Sequence, residues 1–143
     1  KLTFGHPADY PYLSVATPSS HDTSTIRGWW EENHGMSQKF YNEILGIYGE
    51  APYFCEPEVV KQIIVQHLYS PSMWAVFPIQ DLLGMDAGLR MQHAPDERIN
   101  QPGNPNHYWR YRMHLNLEDL AEQENFNLML KGLIGDAGRL DIY

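Results

Sequence analysis

The sequence predicts an α/β chain, mostly helical, with about two short parallel strands. Three observations predict this class. Two short apolar runs, residues 13–16 and 74–79, read as buried strands. Helical patterns fill the chain between them, a connection suited to a parallel crossover rather than a hairpin. A loop of about twenty residues follows the second run, longer than compact domains usually keep without a function. Strand, helices, strand, helices is a slice of a parallel sheet. Two strands alone leave unpaired edges, so such a slice needs partners.

Each element follows from its residues. Residues 1–12 mix Gly5, Pro7 and Pro11 with polar and aromatic residues and read as loop. Residues 13–16 are short, apolar and partly β-branched, and Pro18 bounds them. Residues 19–24, "SSHDTS", are turn chemistry in which Asp22 and Ser24 both suit a helix N-cap. A short helix follows over 25–32, with Glu31 and Glu32 late, against the helix dipole. Residues 36–45 set Phe40, Ile44 and Leu45 on one helical face before Gly46 ends the helix. Residues 57–69 give the clearest helix. Pro57 is tolerated in its first turn, and Val59, Val60, Ile63, Ile64, His67 and Leu68 form one broad stripe. Pro71 stops it. The second strand ends near Pro78, at an edge or turn. Residues 80–85 make about one helical turn. Residues 86–108 show no period. Asn116 suits the cap of a turn within 115–120, and 124–134 form a final helix closed by Gly135.

The totals bound the function. The 143 residues suit one domain, and a net charge of -8 argues against nucleic acid or an anionic membrane surface as partner. The one cysteine, Cys55, has no internal disulfide partner, which points to a reducing compartment and a cytoplasmic location. No apolar run approaches the ~20 residues of a membrane span. No signal peptide opens the chain, and a start on "KLTFGHPADYPYL" reads as a piece of something longer or a processed product.

In parallel α/β folds, functional groups collect where strands end. His21 and Asp22 sit there. The long loop after the second strand falls on the same face, bringing Asn100, Gln101, Asn104, Asn106 and Trp109 within reach. Such a set suits polyol recognition: a carboxylate accepts two hydroxyls, Asn and His serve a third, and an indole covers the ring face. A serine- and aspartate-rich turn also has the plainer use of capping a helix. The Ser-Ser-His-Asp neighbours are no catalytic triad by sequence logic, because triads are assembled in space. The histidines form no HxxxH or HExxH pair, so neither a metal nor a cofactor is predicted. Cys55, in "YFCEP", lacks a basic neighbour and reads as a buried, inert thiol.

Three separated motifs add a resemblance. "HDTSTIRGWWEE", "SPSMWAVFPIQDLLGMD" and "ERINQPGNPNHYWRYR" resemble, in order, the C-terminal part of the 4-α-glucanotransferases, the amylomaltase or disproportionating-enzyme family, glycoside hydrolase family 77. The likeness runs from about Tyr10 to Leu140. The tryptophan pair and "HYWRYR" are closer to the plant cytosolic branch than to the bacterial wording. The resemblance implies that residues 1–143 are the C-terminal part of one (β/α)8 barrel, an incomplete catalytic domain. It implies transfer of α-1,4-glucan segments between maltodextrins by retaining double displacement. It makes Asp22 the carboxylate that grips the distorted sugar, with His21, Asn100 and Trp109 binding substrate. Arg98, Asn100, Pro102, Gly103, Trp109 and Arg112 match the family in register, with Arg98 and Arg112 read as structural. In the family's order the nucleophile and acid/base lie upstream of His21, and Glu31, Glu32 and Glu56 do not occupy their positions. The implied partners are the glucan and the upstream remainder of the barrel. The alternative is a non-catalytic maltodextrin-binding or structural fragment.

Overall fold

The computed structural model describes residues 3–140. The chain divides between Tyr111 and Arg112 into two compact units. The first holds β1 (Val15–Ala16), α1 (Ile26–Glu32), α2 (His34–Glu43), α3 (Pro57–Leu68), β2 (Trp74–Ala75) and α4 (Ile79–Leu83). Two single-turn 3-10 helices, Pro7–Asp9 and Ala94–Glu97, interrupt segments that the sequence reads as plain loop. The second unit holds α5 (Leu117–Ala121) and α6 (Glu124–Asp136).

β1 and β2 pair in parallel, Val15 with Trp74 and Ala16 with Ala75. The expected parallel slice is present, but both strands are shorter than the apolar runs that signalled them. They are also not buried throughout. Ala16 is fully buried, whereas Leu13, Val15, Trp74 and Val76 are exposed. Strand side chains alternate between faces. In this two-stranded ribbon the face that carries Ala16 is turned inward, and the apolar residues of the other face stay open.

α3 carries its predicted stripe: Val59, Val60, Ile63, Ile64, His67 and Leu68 are all buried. Burying each aliphatic side chain stabilises by roughly 1.5–3 kcal/mol. The C-terminal end of α4 approaches α3. A methyl added at Gly84 would stand 3.2 Å from Val60 Cγ1 and 3.1 Å from the Asp81 carbonyl oxygen, so only glycine keeps that approach without a shift. Trp30 completes the core and donates its indole N–H to the Pro52 carbonyl at 2.8 Å.

Several boundaries are corrected. The cap of α1 is Thr25, whose hydroxyl accepts the Gly28 N–H at 3.2 Å, and not Asp22 or Ser24. Asp22 lies too early, and its carboxylate is engaged elsewhere. α2 starts at His34, two residues sooner than expected, because the Asn33 side chain accepts the Met36 N–H at 3.1 Å. Gly46 follows it at φ 67°, the left-handed turn that its sequence position suggests. Asn116 occupies the position before α5, but its side chain bonds Asp119 at 3.1 Å instead of capping. α6 runs through Gly135 to Asp136, and Gly138, at φ 70°, makes the left-handed turn beyond it. Cys55 is buried as expected, and burial pushes its thiol well above the ordinary range.

Candidate functional site

The site is built on the turn from β1 to α1 and on the loop that follows α4. Two buried carboxylates tie these segments together. Asp81, in α4, accepts the Ser19 hydroxyl and the Ile26 N–H, the latter at 2.8 Å. Glu97 accepts the Thr25 hydroxyl at 2.9 Å and forms an ion pair with Arg27. Arg27 also donates to the Met91 carbonyl at 2.9 Å. Burial pushes the Asp81 and Glu97 carboxyls above the usual carboxylate range. The Ser19 and Ile26 donors offset part of this for Asp81, and Arg27 and Thr25 do so for Glu97.

At the tip of the turn, the side chains of His21 and Asp22 are 56% and 51% exposed and touch at 3.3 Å. Asn100 is buried against them. Its backbone N–H donates to the His21 carbonyl at 3.1 Å, and its side-chain amide donates to Asp22 Oδ1 at 2.7 Å. The Trp109 ring lies 5.5 Å from the His21 ring, tilted by 44°, and is exposed. The four residues expected to form the site, His21, Asp22, Asn100 and Trp109, therefore come together.

Other loop residues have different parts. Arg98 braces the loop, as its structural reading expects: Nε donates to the Asn100 carbonyl at 2.9 Å and Nη1 to the Ser24 hydroxyl at 3.0 Å. Asn104 and Asn106 are exposed and bond within their own turn, Asn104 N–H to the Gln101 carbonyl and Asn106 N–H to Asn104 Oδ1. Gln101 lines a cavity of about 360 Å³ with Ser24, Arg98, Tyr53 and Phe54. Among the described residues, no group of three His, Cys, Asp or Glu side chains is placed to hold a metal ion.

Asp81, Glu97 and Arg27 are the supporting residues that sequence reasoning passed over. Their signal was available for Asp81, a carboxylate set inside the apolar run "FPIQDLLGM". A charged residue in a buried stretch is informative because it is rarely buried unless partnered.

Chemically, the site offers a carboxylate with one oxygen fixed by an amide. The other oxygen faces an imidazole and solvent, and an indole lies beside them. It can accept hydrogen bonds from the hydroxyls of a neutral polyol while an aromatic face covers the ring.

This is a parallel α/β protein with its polar cluster gathered at the strand ends. The sequence model of 4-alpha-glucanotransferase matches residues 1–117, and the chain belongs to that family, glycoside hydrolase family 77. It is similar to 4-alpha-glucanotransferase DPE2 of Oryza sativa subsp. japonica, with 44% identity over 138 residues, 96% of this chain and 15% of the rice protein. A 4-alpha-glucanotransferase of Chlamydia trachomatis is 32% identical over 132 residues, 87% of this chain and 23% of that protein. The higher identity to the plant protein agrees with the plant-like wording of "HYWRYR". Amylomaltase from Streptococcus agalactiae, solved in complex with acarbose, shares the fold with a TM-score of 0.66 at 23% identity, over 93% of this chain and 23% of that one. The chain thus spans less than a quarter of the length of each of these relatives. No helix among the described residues is long and apolar enough to cross a membrane.

Proposed function

We propose that these residues are part of a 4-α-glucanotransferase that transfers α-1,4-glucan segments between maltodextrins in the cytoplasm. Residues 1–143 contribute the C-terminal portion of its (β/α)8 barrel. The nucleophile and acid/base come from the upstream remainder of that barrel. Asp22 is the carboxylate that grips the sugar, and His21, Asn100 and Trp109 bind it. One observation carries the reading: Asn100, from the loop after α4, holds the carboxylate of Asp22, from the turn after β1.

The chemistry follows from that contact. In retaining transfer the sugar ring flattens toward an oxocarbenium-like transition state, and its hydroxyls shift. An acceptor fixed where those hydroxyls arrive binds the transition state better than the ground state. Asn100 supplies the fixing, since its donor leaves Asp22 little freedom to follow the ground-state ring. The acarbose complex of the streptococcal relative supports a sugar-like ligand.

The test is Asp22→Asn in the intact enzyme carrying this chain, assayed by glucose release and longer maltodextrins from maltotriose. We expect kcat to fall by about a hundredfold or more, as when a preorganised electrostatic group is removed. Unchanged kcat with affinity weakened by only about 0.5–1.5 kcal/mol would instead favour the non-catalytic maltodextrin-binding reading.

A further inference from the structure

One buried side chain holds both ends of the turn that presents His21 and Asp22. Ser19 stands two residues before His21, and Ile26 four residues after Asp22. The Ser19 hydroxyl donates to one oxygen of Asp81 and the Ile26 N–H to the other. Residues 20–25 are therefore an arc closed on a single carboxylate from α4, the helix that follows the other strand.

We propose that Asp81 is a positioning residue, which sets where the Asp22 carboxylate stands without itself touching substrate. This rests on the reading of Asp22 given above. Asp81 is 2% exposed, so no ligand reaches it. Burying a carboxylate is costly unless it is well bonded, and an apolar side chain at this place in α4 would spare that cost. It would also leave the Ile26 N–H, at the start of α1, without its acceptor, and would free Ser19. The carboxylate is a firm reference point because the residue that ends α4, Gly84, stands tight against Val60 of α3. Asn100 then fixes Asp22 from the front, while Asp81 fixes the turn from behind. The inference separates Asp81 from a residue that merely caps α1. A cap affects stability alone, whereas a positioning residue changes what Asp22 contributes to the reaction.

The experiment is a double-mutant cycle in the intact enzyme, reading kcat and KM on maltotriose. Asp81→Ala is expected to lower kcat about tenfold or more with KM within about twofold, the pattern of a misplaced group. Asp81→Asn keeps an acceptor for Ile26 and a polar partner for Ser19, and is expected to retain most of kcat. In the Asp22→Asn background, Asp81→Ala is expected to cost less than about twofold, since no carboxylate remains to be placed. Equal losses in both backgrounds, or an unchanged kcat, overturn the proposal. If Asp81→Ala does not fold, Ser19→Ala decides in the same way, because it keeps the Ile26 anchor. If Asp22→Asn alone leaves kcat unchanged, the reading of Asp22 fails and takes this one with it. That result is distinct from equal Asp81 losses beside a damaged Asp22 variant.

Discussion

The side-chain amide of Asn100 donates to Asp22 Oδ1 at 2.7 Å, joining residues 78 positions apart. A carboxylate only accepts, so the amide nitrogen must face it. One oxygen is thereby committed, and the other is left beside His21. Asn100→Ala is expected to lower kcat by about 10- to 100-fold, the worth of one hydrogen bond to a charged group. Rates measured with Asp22→Asn and the double variant give the check: the two losses should not multiply.

Trp109 is expected to act on binding more than on rate. Its exposed ring stands 5.5 Å from His21, beside the carboxylate rather than on it. Trp109→Ala should raise KM for maltotriose by about two- to tenfold, from an aromatic contact of about 0.5–1.5 kcal/mol, with a smaller change in kcat. Trp109→Phe should recover part of the affinity. Steady-state kinetics of the two variants test this.

Arg27 and Glu97 govern stability. Their side chains are 6% and 2% exposed, so neither charge has water to fall back on. Glu97→Ala should destabilise by about 3–5 kcal/mol, because it leaves the guanidinium buried and unpaired. Replacing both, as Arg27→Met with Glu97→Leu, should cost less than either single change. Urea unfolding midpoints distinguish these outcomes.

His67 sets a pH dependence. Burial lowers its pKa below the ordinary 6.5, against a bond from Nδ1 to the Ile63 carbonyl at 2.8 Å. The folded chain keeps the ring neutral where the unfolded chain would protonate it. Its contribution is therefore complete above about pH 6.5 and is lost as pH falls through the lowered folded value. Asp81 and Glu97, raised by burial, act with the opposite sign: their contribution fades as pH rises through their folded values. Melting the parent and His67→Gln between about pH 7.5 and pH 5 isolates the histidine, since the carboxylates are common to both. The parent should lose more stability on acidification than the variant. Parallel curves would contradict this.

Periodicity recovered what local burial decides. The stripe from Val59 to Leu68 is legible because every member faces one core. The apolar runs overextend the strands because residues beyond the paired ones, such as Leu13 and Val76, are apolar yet exposed. The four-residue cluster was legible partly from its place at a strand end and partly from family likeness. The supports were not. Ser19 to Asp81 and Arg27 to Glu97 are long-range pairs, and no local pattern says which buried charge meets which. Thr25 also took the cap that Asp22 suited equally well by composition, because Asp22 was held by a residue far along the chain.

The loop from Ile99 to His107 closes on itself: His107 Nε2 donates to the Ile99 carbonyl at 2.9 Å. The exposed residues between them, 101–106, hang from a neck whose near side is pinned by Arg98 and Asn100. Length and composition can drift there without disturbing the carboxylate below. For an engineer, it is a cassette: this small ring can be exchanged while the residues at its base keep their alignment.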